Sequence, residues 1–468
     1  VIRQKKRFLF NRVVPGILLL FLAGYAQVLK AQSLEITPKL YIKYNQNDNI
    51  DAVDVDDNED PTRQAWMDYM LGIESKAKQV DTEEGLDVSL GYAQYIDSKG
   101  DIEDLADIST AKYNYFSING GAWFMYTGRN VTLEILDDII RTRSVEELFG
   151  PGTSALGNRY LYTDNIASLQ LRFKLGSKSR MLLRYSYEIM TFDKPENELL
   201  EERKPSDSSG HLGYARMEYD FSPKTTGFID FQGGQRLFEE RLVVTDYDTA
   251  TVPPTIRATK DVKTADYTYY QGLLGARYRF SDRTSMSVSA GAHTKSFFNE
   301  GDYIDLENYT LPIGRITFTQ LEENRYRMDL IGDAGTSVYG MDMFFNYYSG
   351  AAKFRYYFYR RMSLEVSGNY RQDIFDLEVN DRENLWEHDR VDNLLYYGAT
   401  FNWDLVQKRN RTWFAIELLY KHRSRDSNIT DEDDYVTATF GGPYVSYNTE
   451  IDYYGAQVVF MPSILIGK

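Results

Sequence analysis

Histidine is the first test of what this chain could do, because only four occur, His211, His293, His388 and His422. Acid–base catalysis needs such a group within hydrogen-bond reach of its partner. Glu387-His388-Asp389 flanks one imidazole with two carboxylates, and Ser289 precedes His293 as a hydroxyl that a base could activate. Sequence neighbours rarely have the geometry of a working triad. No two histidines have metal-ligand spacing. Cysteine is absent, which removes disulfides, thiol catalysis and Cys-ligated zinc. A loop-based hydrolase is therefore the least favoured reading, and the chain is expected not to be an enzyme.

The charged residues suggest a different chemistry. Arg172 and Lys174, Arg184, Arg216, Arg277 and Arg279, and Lys353 and Arg355 sit in segments whose alternate positions are apolar, with Tyr357 following the last pair. Side chains alternate across a strand, so these nine residues share wet faces and are candidates for the lining of a solute path. Acids occupy equivalent positions: Glu74, Asp87, Glu134, Glu188, Glu218, Asp220, Asp230, Glu365, Asp404, Glu417, Glu450 and Asp452. With the two signs in rough balance, such a lining suits a neutral or mixed polymer better than a strongly anionic one. The plainer reading is that opposite charges pair across strands and fill the interior. Tyr269-Tyr270, Tyr347-Tyr348, Tyr356-Tyr357, Tyr396-Tyr397 and Tyr453-Tyr454 each send one ring to either face. Outward rings serve as an interfacial girdle, and inward rings could stack on sugars.

The elements that must position these groups are β-hairpins. In residues 269–293, Leu274, Ala276, Tyr278 and Phe280 oppose Arg277 and Arg279; after the Ser281-Asp282-Arg283-Thr284 turn, Met286, Val288, Ala290 and Ala292 oppose Ser285, Ser287 and Ser289. The same grammar recurs along the chain. Short turns carry Arg129, Lys178, Lys224, Arg283, Arg360, Arg361, Lys408 and Arg409, whereas the long connections are mostly acidic. Alternating segments of about ten residues with one short and one long end mark a transmembrane antiparallel up-and-down β-barrel. Seven hairpins and two flanking strands predict about 16 strands, with short periplasmic turns and long acidic extracellular loops. Eighteen is the alternative, because GRITFTQ and RYRMDLIG between Asp302 and Met341 could be a further spanning pair.

Composition agrees. Aromatic residues make up 15%, and a mean hydropathy of -0.48 suits a barrel that shows only alternate residues to lipid. The net charge of -16 disfavours nucleic acid. Arg3, Lys5, Lys6, Arg7 and Arg12 precede the apolar Ile17 to Ala23, which predicts a signal peptide over 1–26, with cleavage after 31 as the alternative; the barrel then occupies 34–468. The acidic runs, DAVDVDD and Asp431 to Asp434 among them, lack the spacing of a dedicated calcium loop. No cofactor is expected, only divalent cations loosely held at the acidic loops.

The opening segment ITPKLYIKYNQNDNI carries Thr37, Pro38, Tyr44, Asp48, Asn49 and Ile50. It resembles the first strand of the outer-membrane β-barrel porins associated with bacterial exopolysaccharide biosynthesis and export loci, although Asn45-Gln46-Asn47 interrupts the tidier form of that motif. The resemblance spans essentially the whole barrel region. It implies an outer-membrane conduit for export of a secreted polysaccharide, without catalytic residues, in contact with lipid, lipopolysaccharide and periplasmic export components. A plugged surface or adhesion barrel acting through acidic loops is the alternative.

Overall fold

The computed structural model describes residues 33–47, 63–99, 114–142, 161–193, 207–239, 241–248, 255–262, 266–298, 308–322, 325–339, 343–359, 361–375, 390–408, 411–427, 449–462 and 464–467. The expected signal peptide, most of the acidic connections and the Glu387-His388-Asp389 group lie outside these residues.

The strands are β1 (Ser33–Asn47), β2 (Arg63–Lys78), β3 (Thr82–Lys99), β4 (Tyr115–Thr127), β5 (Val131–Thr142), β6 (Tyr162–Lys174) and β7 (Ser179–Phe192). Then come β8 (Ser208–Asp220), β9 (Thr225–Phe238), β10 (Arg241–Asp248), β11 (Thr255–Val262), β12 (Tyr267–Ser281), β13 (Thr284–Phe297) and β14 (Tyr309–Glu322). The chain continues with β15 (Tyr326–Tyr339), β16 (Met343–Tyr359), β17 (Met362–Phe375), β18 (Arg390–Lys408), β19 (Arg411–Ser427), β20 (Thr449–Phe460) and β21 (Ile464–Gly467). Consecutive wall strands pair antiparallel, and β1 pairs with β2 on one side and with β20 and β21 on the other, so the sheet closes.

The wall has eighteen strands. β10 and β11 form a separate hairpin, and β20 and β21 share one place beside β1. This corrects the expectation of sixteen: GRITFTQ and RYRMDLIG fall in β14 and β15, which pair with each other and with their neighbours as full wall strands. The turn between β2 and β3 is tight, with Gln79 N donating to Thr82 O at 2.8 Å. The closing strand breaks at Met461-Pro462, opposite Pro38-Lys39, where two prolines without a backbone N–H interrupt the ladder, and it resumes as β21.

The turns follow from residue chemistry. Between β8 and β9, Ser222 Oγ accepts from Lys224 N at 3.2 Å and Thr225 N at 3.0 Å, while Pro223 supplies the fixed φ of the bend.

Apolar rings and chains cover the outside. Outward Tyr270 and Tyr278 on β12, like Tyr348 and Tyr356 on β16, are exposed and eight positions apart, about 26 Å along a strand. Leu274 and Phe354 lie exposed between them. Two aromatic girdles thus bound an apolar band of membrane height. Among the described residues no helix is long and apolar enough to cross a membrane.

Candidate functional site

The functional surface of a closed barrel is its inner wall, which changes character along its length. Near the short turns the charges stand in water: Arg172 is 53% exposed and Lys353 51%. Near the long connections the inward residues are buried, including Tyr162, Tyr267, Lys295, Asp373, Asp392 and Arg425. The inward side chains are therefore more closely packed toward the loop end.

Six of the nine candidate residues come together on one stretch of wall. Arg172 and Lys174 on β6, Arg184 on β7, Arg216 on β8, and Arg277 and Arg279 on β12 follow one another around the sheet, because β9 pairs directly with β12. Arg172 meets Glu134 at 3.0 Å, and Arg216 meets Glu218 at 3.0 Å and Asp230 at 3.4 Å. Arg277 lies 3.8 Å from Glu218. Arg184 sits over Tyr214, its guanidinium 5.5 Å from the ring centre. Among the described residues Lys174, Arg184 and Arg279 have no carboxylate partner. Arg180 belongs to this set, 2.7 Å from Asp220, although it was not among the candidates; it shares the parity of Arg184 but lies against the turn.

Lys353, Arg355 and Tyr357 occupy a different sector, on β16. Lys353 lies 2.6 Å from Glu365, which also pairs with Arg355. The wall from β2 to β5 is acidic, with inward Asp68, Glu74, Asp87, Glu134 and Asp138 set against Lys39 and Lys76. Acids thus exceed bases from β2 to β5 and bases exceed acids from β6 to β12, with both signs interspersed in each sector.

Asp452 departs from its expected place. It lies on the outer face, accepting from Tyr420 Oη at 2.7 Å and 2.9 Å from His422 Nδ1. The side chain of Glu450 lies outside the described residues.

Four of the inward tyrosines have close partners. Tyr453 has Lys43 and Lys421 at 5.5 and 5.9 Å, Tyr396 has Arg423 at 5.8 Å, and Tyr347 has Arg371 at 4.4 Å. Tyr269 is stacked on His293. Each of these four rings thus has a cation or imidazole near one face, whereas Tyr357 has no ring contact among the described residues.

At the loop end of β17–β19 a buried ion network, absent from the candidates, closes over the wall. Asp392 accepts from Arg390 at 2.6 and 2.9 Å, from Arg425 at 2.5 and 3.0 Å and from Ser427 at 2.7 Å. Arg390 and Asp392 fall at the edge of what reads in sequence as a loop, so alternation there gave no signal.

The proposed nucleophile pair does not form. Ser289 and His293 face the same way but stand about 13 Å apart along β13. Tyr185 Oη meets His211 at 2.6 Å on the outer face. Among the described residues no group of three His, Asp or Glu could hold a metal ion.

A closed sheet with a banded apolar exterior and a wet interior leaves every wall strand paired in hydrocarbon, which defines a transmembrane β-barrel of the outer-membrane type. No known family profile matches the sequence, and no curated protein matches it. Solved structures with similar folds include a BenF-like porin from Pseudomonas fluorescens Pf-5, at 9% identity over 92% of this chain and 99% of that one, TM-score 0.48. OccAB4 of Acinetobacter baumannii is 12% identical over 93% and 99%, TM-score 0.47, and OprD of Pseudomonas aeruginosa 11% over 92% and 95%, TM-score 0.44. At that distance the chemistry has to be decided by the walls of this barrel.

Proposed function

We propose that the chain is an outer-membrane pore that conducts hydrophilic solutes and favours those bearing anionic groups. The observation that carries this reading is the basic stretch from β6 to β12, where Lys174, Arg184 and Arg279 face the lumen with no carboxylate partner among the described residues. Rings of one charge set selectivity in a pore. A local basic excess matters even where the inward faces as a whole are near balance, because a solute meets the local wall and not the average.

Export of a secreted polysaccharide, which the opening strand suggests, is a narrower form of this proposal. The cations and imidazole beside four inward tyrosines weigh against a sugar glide path over those rings.

Reconstitution in planar bilayers tests the pore. Single-channel steps are expected, with a reversal potential favouring anions. Combining Lys174→Gln, Arg184→Gln and Arg279→Gln should lower the anion-to-cation permeability ratio by about threefold, the scale of a few water-screened charges. An unchanged ratio would count against the basic wall as the selective element. A plugged adhesion barrel would give no steps, and block by a candidate polymer would support the narrower form.

A further inference from the structure

We propose that His293 adds a proton-controlled component to the charge selectivity of the lumen. This rests on the pore reading above and adds a residue outside the basic stretch.

His293 lies on the inner face of β13, between Gln271 on β12 and Leu311 on β14, at the loop end. It is only 8% exposed. Its ring stacks on Tyr269, with centres 5.7 Å apart and planes 21° apart, and Tyr309 lies 6.5 Å away on the neighbouring strand. Among the described residues its Nε2 has no hydrogen-bond partner. A buried ring nitrogen left without a partner is uncommon and unfavourable. The packing therefore holds a neutral imidazole in a slot built of phenol rings.

The charged and titratable groups around it decide what a proton would do. Lys295 stands two positions along the same face, its ammonium 4.4 Å from the centre of Tyr267 and 5.9 Å from that of Tyr309. From β9, Arg236 reaches Glu188 on β7 at 3.0 Å, and Asp164 on β6 interacts with both. Tyr267 and Tyr269 complete the set from β12. Protonation would put a third cation beside Lys295 and Arg236 and create an N–H that no described residue accepts. The imidazolium then leaves the tyrosine slot for lumen water. Both the added charge and the exposed ring raise the positive potential at the loop end of the lumen.

Reversal potentials measured from about pH 7.5 to about pH 3, which extends well below the ordinary imidazole range, test this. The wild-type anion-to-cation permeability ratio should rise about threefold on acidification, as one added charge in the lumen implies. His293→Phe keeps the stacking and cannot protonate, so it should lose the part of the rise that position 293 supplies and keep only the part due to lumen carboxylates such as Asp164 that lose their charge in acid. His211→Phe, His388→Phe and His422→Phe should behave as wild type. A flat wild-type profile, or a rise in His293→Phe as large as in wild type, overturns the proposal. Should bilayers show no channel steps, the pore reading fails by itself. The switch is then read from the imidazole resonance that disappears in His293→Phe: it should move from a shielded to a solvent-exposed position in acid, and a fixed resonance overturns the inference.

Discussion

Arg216 shows how one absent side chain positions a charge. Its guanidinium lies 4.1 Å from the ring centre of buried Phe228, and Phe228 in turn fills the space above Gly275. A Cβ at position 275 would stand 2.3 Å from the ring and 2.7 Å from the Val288 carbonyl oxygen. Only glycine leaves room for the ring that supports the arginine. Gly275→Val should therefore cost about 1–3 kcal/mol through overpacking, checked by urea titration in micelles. The same variant should reduce anion preference, because Arg216 loses its platform while keeping Glu218 and Asp230.

On the scale of the strand, β5 departs from the rule that the outer face is apolar. Asp137 faces outward between Ile135 and Ile139, its carboxylate held by Asn165 Nδ2 at 2.8 Å. Its partner Ala122 on β4 lies between the exposed rings of Phe116 and Tyr126, within the apolar band. A carboxylate in hydrocarbon is unfavourable, less so than a basic group. Asp137→Leu should stabilise the folded barrel by about 1 kcal/mol, measured as a shift in the unfolding midpoint in lipid. An equal loss of stability would mean that this face meets something other than lipid.

The whole molecule is defined by closure. β1 and β20 meet with Ile42 opposite Val458, and opposed strand positions bring Cα atoms to about 4.5–5.5 Å, within reach of a disulfide. Because the chain has no cysteine, Ile42→Cys with Val458→Cys should oxidise in the membrane to a single cross-linked species with altered mobility on denaturing gels. Ile42→Cys with Phe460→Cys, two positions out of register, should cross-link poorly. Equal cross-linking would mean that the seam slips.

The two-residue rhythm of the sequence was enough by itself to establish strands, short turns at one end, an apolar exterior and the inward direction of Arg172, Arg184, Arg216 and Arg277, because which face a residue takes is a local property of a strand. It could not establish the strand number, since GRITFTQ and RYRMDLIG alternate identically whether they span the wall or extend a loop. Nor could it place Asp452, whose face depends on pairing with β19, or bring β9 beside β12 across an intervening hairpin. The basic excess from β6 to β12, the Asp392 network and the slot around His293 were decided by the tertiary structure alone. Neighbours around a barrel are set by register between strands distant in sequence, and no local pattern encodes which strand closes against which.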